Sequence, residues 1–123
     1  MDEQIKKAIE AHAIAEYPRE CCGLVVKTAI GETYVPCRNL AGAPTDQFAL
    51  ASEDYAAAED AGEIVALVHS HPGALAQPSE ADRAMCERSG IAKWVIVSLG
   101  VQADGSIGVD DWCEFKPAGY VAR

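Results

Sequence analysis

No stretch of the 123 residues approaches the roughly 20 consecutive apolar residues that a membrane-spanning helix needs. No Cys-x-x-Cys pair occurs, and the five cysteines (Cys21, Cys22, Cys37, Cys86 and Cys113) form an odd set. A disulfide framework and a thiolate zinc site are therefore both disfavoured, and buried, reduced thiols are expected. Positive charge is scarce: ten Lys and Arg against nineteen Asp and Glu leave a formal charge of -9, which argues against a nucleic-acid partner. The opening MDEQIKKAIEAH is charged rather than signal-like. A cytoplasmic chain without membrane contact is expected. The length suits one domain, residues 1–123, and no repeat, low-complexity tract or linker divides it.

What is present alternates between strand and helix patterns. Residues 3–16 place Ile5, Ala8, Ile9, His12, Ala13 and Glu16 at helical spacings, with Pro18 as the stop. CGLVVK and ETYVP read as a hairpin turning at Gly31. NLAGAPTDQ is loop by composition, FAL a short strand, and Ser52 the N-cap of a helix, EDYAAAEDA, that ends at Gly62. EIVALVHSH carries the apolar run of a strand covered on both faces, which places it centrally. The helix EADRAMCERS, between Ser79 and Gly90, precedes the buried strand KWVIVSL, and DGSIGVDDWCEF reads as a turn and a last strand. This order gives a two- or three-layer α/β domain, and the tail KPAGYVAR reads as a boundary.

Two of the three histidines stand one residue apart at the end of the central strand, in VHSHPGALAQPSEAD. Residues two apart on a strand share a face, so His69 and His71 aim at one spot while Ser70 turns away. The loop PGALAQP brings the chain back, and Ser79 starts a helix whose first turn carries Asp82. Two imidazoles and one carboxylate leave the fourth position of a tetrahedral zinc ion open, the pattern of a catalytic site. The same set suits non-haem iron. Taken singly, each half has a plain structural explanation: Ser79 and Asp82 form a capping-box-like helix start, and the histidines can be satisfied by backbone carbonyls. A general base beside the metal is required as well, and spacing alone does not choose among Glu16, Glu20, Glu53, Glu63 and Glu80. Glu20 stands at the junction of the first helix and first strand.

HSHPGALAQPSEAD resembles the JAMM motif of the JAB1/MPN/Mov34 metalloenzymes, H-[ST]-H-P followed by S-x-x-D. PRECCGLV is similar to the P-x-E-x-C-G-x-L segment that carries that family's catalytic glutamate. The resemblance implies that His69, His71 and Asp82 hold zinc. It also implies that Glu20 takes a proton from the attacking water and later gives it to the leaving amine, while Ser79 hydrogen-bonds the oxyanion. The implied reaction is hydrolysis of a peptide or isopeptide bond. The implied fold is a mixed, highly bent β-sheet flanked by helices, close to the cytidine deaminase architecture, although the deaminase motifs are absent.

Some short bacterial members of the family release ubiquitin-like carrier proteins or their cargo, so a peptide or a ubiquitin-like protein is the implied substrate. The stretch from FALASEDY to WCEFKPAGYVA looks most like the N-terminal domain of phage tail-assembly proteins, in which an NlpC/P60 hydrolase domain follows. That likeness implies phage tail partners, a virion-associated location as an alternative to the cytoplasm, and a chain that is either a fragment or a free-standing relative. Two other functions remain open: a non-catalytic MPN binding or scaffold module, and a cysteine hydrolase using Cys21 or Cys22.

Overall fold

Asp2 opens the first helix by accepting the Ile5 amide on its carboxylate at 2.9 Å, the bond an N-cap supplies. Helix α1 (Glu3–Glu16) buries Ile5, Ile9 and Ala13 along one stripe, as a helix lying on a sheet must. Ala8 is exposed, and His12 is half-buried at the edge of that stripe. The computed structural model describes residues 1–118; residues 119–123 of the tail KPAGYVAR lie outside the described residues.

Strands β1 (Cys22–Thr28) and β2 (Gly31–Cys37) form the expected antiparallel hairpin, in register from Thr28↔Gly31 to Cys22↔Cys37. Gly31 takes a φ of 123° at the turn, a conformation open to glycine. Pro36 is tolerated because β2 is an edge strand. Helix α2 (Ser52–Ala61), strand β3 (Glu63–Pro72), helix α3 (Glu80–Ser89), strand β4 (Trp94–Val101) and strand β5 (Ile107–Phe115) follow.

The strands hydrogen-bond in the order β2-β1-β3-β4-β5, which puts β3 at the centre. It pairs antiparallel with β1 and parallel with β4, so the sheet is mixed. A parallel pair requires a crossover from one end of the sheet to the other. Here the crossover is the loop after Pro72 together with α3.

The sheet is packed on both faces, making three layers. Ile5, Ile9 and Ala13 of α1 meet Val25, Ala66, Val68, Val95 and Val97 on one face. Ala58 of α2 and Cys86 of α3 meet Leu24, Val26, Leu67 and Trp94 on the other. Gly23 is required within this packing, because a Cβ there would run into the Tyr34 ring and hydroxyl. Tyr34 cannot swing aside freely, since its hydroxyl bonds His12 Nδ1 at 2.6 Å. Gly23→Ala should therefore lose about 1–3 kcal/mol of stability by overpacking, read from chemical denaturation.

Two expected local features differ. Ser52 is the first helical residue rather than the cap; Ala51 takes the cap position without a side-chain bond. Asp54 instead reaches out of the first turn to the Arg38 backbone amide at 2.8 Å and guanidinium at 3.1 Å. FAL is not a strand. Only Leu50 forms an isolated bridge, to Asn39, because the Ala49 amide is taken by the Asn39 side chain and cannot extend a ladder.

Candidate metal centre

The alternation of β3 delivers the two imidazoles to one side, and α3 delivers the carboxylate to meet them. Nε2 of His69 and Nε2 of His71 lie 3.2 Å apart. Asp82 places Oδ1 3.2 Å from the first and Oδ2 3.2 Å from the second. Around a tetrahedral ion with bonds of about 2.0–2.1 Å, ligand atoms stand about 3.3–3.4 Å apart. The three groups are thus close enough to hold a metal ion, all their ligand atoms falling within 4.8 Å of one another.

Each of the three side chains has its own support. His71 donates from Nδ1 to the Leu75 carbonyl at 2.8 Å, so a neutral ring keeps its proton there and offers the Nε2 lone pair to a metal, whereas a protonated ring donates from Nε2 to Asp82. His69 is fully buried, and its Nδ1 has no hydrogen-bond partner among the described residues. Packing orients it instead: Phe48 stacks on the ring at 4.5 Å between centroids, and Trp94 meets it edge-on at 5.7 Å. Asp82 belongs to a capping box, accepting the Ser79 amide on Oδ2 while its own amide donates to Ser79 Oγ, both at 3.0 Å. The cap and the ligand cluster are thus compatible, since the bonds that start α3 also aim the carboxylate. Ser70 faces the other side of the sheet and accepts the Cys21 amide at 2.7 Å.

Glu20 is 7 % exposed and shares the wall of a cavity of about 430 Å³ with His71, Ser79 and Asp82. Of the five glutamates left open by spacing, it is the one in that wall. Burial pushes its carboxyl up to about 7, with Asp82 and Asp46 adding to the rise and His71 opposing it. Burial also acts to raise Asp82, but the hydrogen bonds from His69 and His71 outweigh it and hold that carboxyl well below the usual carboxylate range. His69 is lowered, chiefly by burial, which favours the neutral ring a metal requires. His71 is raised by its hydrogen bond to Asp82.

The neighbouring cysteines are unsuited to nucleophilic attack. Cys21 packs on the α1 side of the sheet and Cys22 on the other. Burial pushes their thiols up to about 11 and about 12, so the thiolate is absent at neutral pH.

Three contributors carry no motif that a reading of the residues could find: the Leu75 carbonyl, Phe48 on the His69 ring, and Asn39 behind Glu20. Loop composition was their only trace, and most loops carry asparagine and an aromatic without any such role.

A model of prokaryotic homologs of the JAB domain matches residues 2–112. The tail tip assembly protein K of Escherichia phage N15 is 59% identical over 91 residues, covering 74% of this chain and 37% of that protein. Its namesake in Escherichia phage lambda is 51% identical over 47 residues, covering 38% and 24%. The chain thus spans well under half the length of these curated relatives. A solution structure from Desulfitobacterium hafniense superposes with a TM-score of 0.61 at 22% identity, covering 89% of this chain and 87% of that one. A crystal structure of a JAB1/MPN domain protein from Archaeoglobus fulgidus gives 0.51 at 17%, covering 91% and 82%. At these identities the likeness speaks to fold.

Proposed function

We propose, since the chain belongs to the family of prokaryotic homologs of the JAB domain, that it is a zinc-dependent hydrolase of a peptide or isopeptide bond. The observation carrying this reading is the convergence of His69, His71 and Asp82 at mutual spacings of 3.2 Å, with Glu20 and Ser79 in the same cavity wall.

Zinc held by these three residues would supply Lewis-acid polarisation of the amide carbonyl and would bring a water's pKa from 15.7 to about 7. Everything else is the chain's own. Glu20 accepts the proton of the attacking water and returns it to the leaving amine, a shuttle suited to a carboxyl whose pKa burial has brought to about 7. Ser79 Oγ accepts the Asp82 amide on a lone pair, which leaves its O–H free to donate to the developing oxyanion. Phe48 and Trp94 keep water off the His69 ring.

Ser79→Ala separates these duties. It should cost about 0.5–2 kcal/mol from the lost cap and about 100- to 1,000-fold in kcat from the lost oxyanion donor. Ser79→Thr should recover most of both, as denaturation curves and steady-state rates would show.

The likeness to tail tip assembly proteins supports a setting in phage tail assembly with tail proteins as partners, and a ubiquitin-like carrier is the alternative substrate. The assembly name of those relatives equally favours a second reading, a module that binds without cutting. Zinc analysis combined with hydrolysis assays on the wild type and Glu20→Gln tests the first reading against the second.

A further inference from the structure

Asn39 is a buried polar side chain that the chemistry above leaves unused. It is 4 % exposed and engages five backbone groups. Its amide nitrogen donates to the carbonyls of Glu20 at 2.9 Å, Gln47 at 3.0 Å and Pro44 at 3.4 Å. Its Oδ1 accepts the amides of Ala41 and Ala49, both at 3.0 Å. With two hydrogens for three carbonyls, the side chain is used to capacity. It ties both ends of the loop 39–50 to Glu20, two residues ahead of β1.

The Glu20 peptide is consequently held on both sides. Its amide donates to the Pro44 carbonyl at 2.7 Å, and its own carbonyl accepts Asn39. One residue on, Cys21 is locked to the histidine-bearing strand: its amide donates to Ser70 Oγ at 2.7 Å, and its carbonyl accepts the Ser70 amide at 3.1 Å. Glu20 therefore lies between a clamp to the loop and a clamp to β3. The same loop carries Phe48 onto His69 and contributes Asp46 and Gln47 to the cavity wall.

We propose that Asn39 is the positioning residue for Glu20, fixing the backbone of the base relative to the histidine pair and holding the loop wall of the cavity in place. This rests on the hydrolase reading of the site and deepens it. Asn39 acts through Glu20 and the loop, without touching substrate.

The test uses the full chain loaded with cobalt(II), whose pseudocontact shifts report where each amide stands relative to the metal. In Asn39→Ala the shifts of the Glu20 and Gln47 amides should move, while those of Val25 and Val95 stay and cobalt stoichiometry is kept. On the zinc-loaded chain, kcat per bound metal should fall by about 100-fold, the scale of a misplacement near 1 Å, with a smaller change in KM. A purely structural residue would reduce the amount of folded protein and leave kcat per metal unchanged.

Unmoved Glu20 shifts, or moved shifts with unaltered kcat per metal, would overturn the proposal. A wild-type chain that binds cobalt yet cleaves nothing refutes the hydrolase reading separately, and the Glu20 shift then still decides whether Asn39 holds that backbone. Should Asn39→Ala not fold, Asn39→Asp keeps the shape and both accepted bonds and removes the donors. In the wild type itself, the Ala41 and Ala49 amides should be protected from hydrogen exchange. Exchange at the rate of free loop amides would count against the clamp.

Discussion

The purified chain should carry about one zinc ion per molecule after incubation with zinc at neutral pH, and His71→Ala should carry almost none, as measured by elemental analysis. His71 is the member of the trio whose replacement tests the site most cleanly. It faces the cavity, its tautomer is set by the Leu75 carbonyl, and its Nε2 lies 3.2 Å from both partners. Removing an outer partner of a metal ligand already costs roughly 10- to 100-fold in affinity, and removing the ligand itself should cost more. The fold should survive, because the His71 side chain is part-exposed at the end of β3 whereas His69 is sealed beneath Phe48 and Trp94. Absence of zinc from the wild type at saturating free metal would mean that the histidines are structural. Uptake should weaken as the pH falls, since both rings must be deprotonated to bind.

Glu20→Gln should keep its zinc and lose hydrolysis by about 100- to 10,000-fold, the span attributable to general acid–base catalysis. The substitution preserves shape and removes only the capacity to take and return a proton. Retained turnover would shift the base to another group or leave binding as the function of this domain. The same variant carries a stability signature. A carboxyl raised to about 7 in the folded chain stabilises it fully only below its unfolded value, near 4.5, and that contribution is lost as the pH rises through about 7. Metal-free Glu20→Gln should accordingly gain stability relative to the wild type as the pH climbs through this window. An ionisable carboxyl held in a buried wall is a cost to folding of the kind that functional sites carry.

How much of this could be read without the coordinates follows from how local each signal is. The period-two spacing of His69 and His71 is a backbone property, and the Ser79–Asp82 interval is a helix-start property, so both halves of the centre were legible separately. The central position of β3 followed from its apolar run, Ile64 to Val68, which needs cover on both faces. Ser52 misled because a good capping residue sits one position inside the helix, and the cap site is decided by where Asp54 meets Arg38, sixteen residues upstream. FAL misled because the Asn39 side chain takes the amide that a ladder would need. The choice of Glu20 among five glutamates was beyond spacing altogether, since what distinguishes it is the loop that holds its peptide. The motif likeness supplied that choice, and the cavity wall gives it a physical setting.

One carboxylate, that of Asp82, both starts α3 and faces the two histidines. Its two duties have separate beneficiaries. A descendant of this chain that abandoned the metal would still be penalised for replacing Ser79 or Asp82, because the helix would lose its start. The histidines would carry no such obligation, and His71, at the cavity edge, would be the first free to drift. Among relatives of this chain, then, a Ser-x-x-Asp pair is a poor witness to metal binding. The imidazoles and the glutamate ahead of the first strand are the residues whose survival testifies to it.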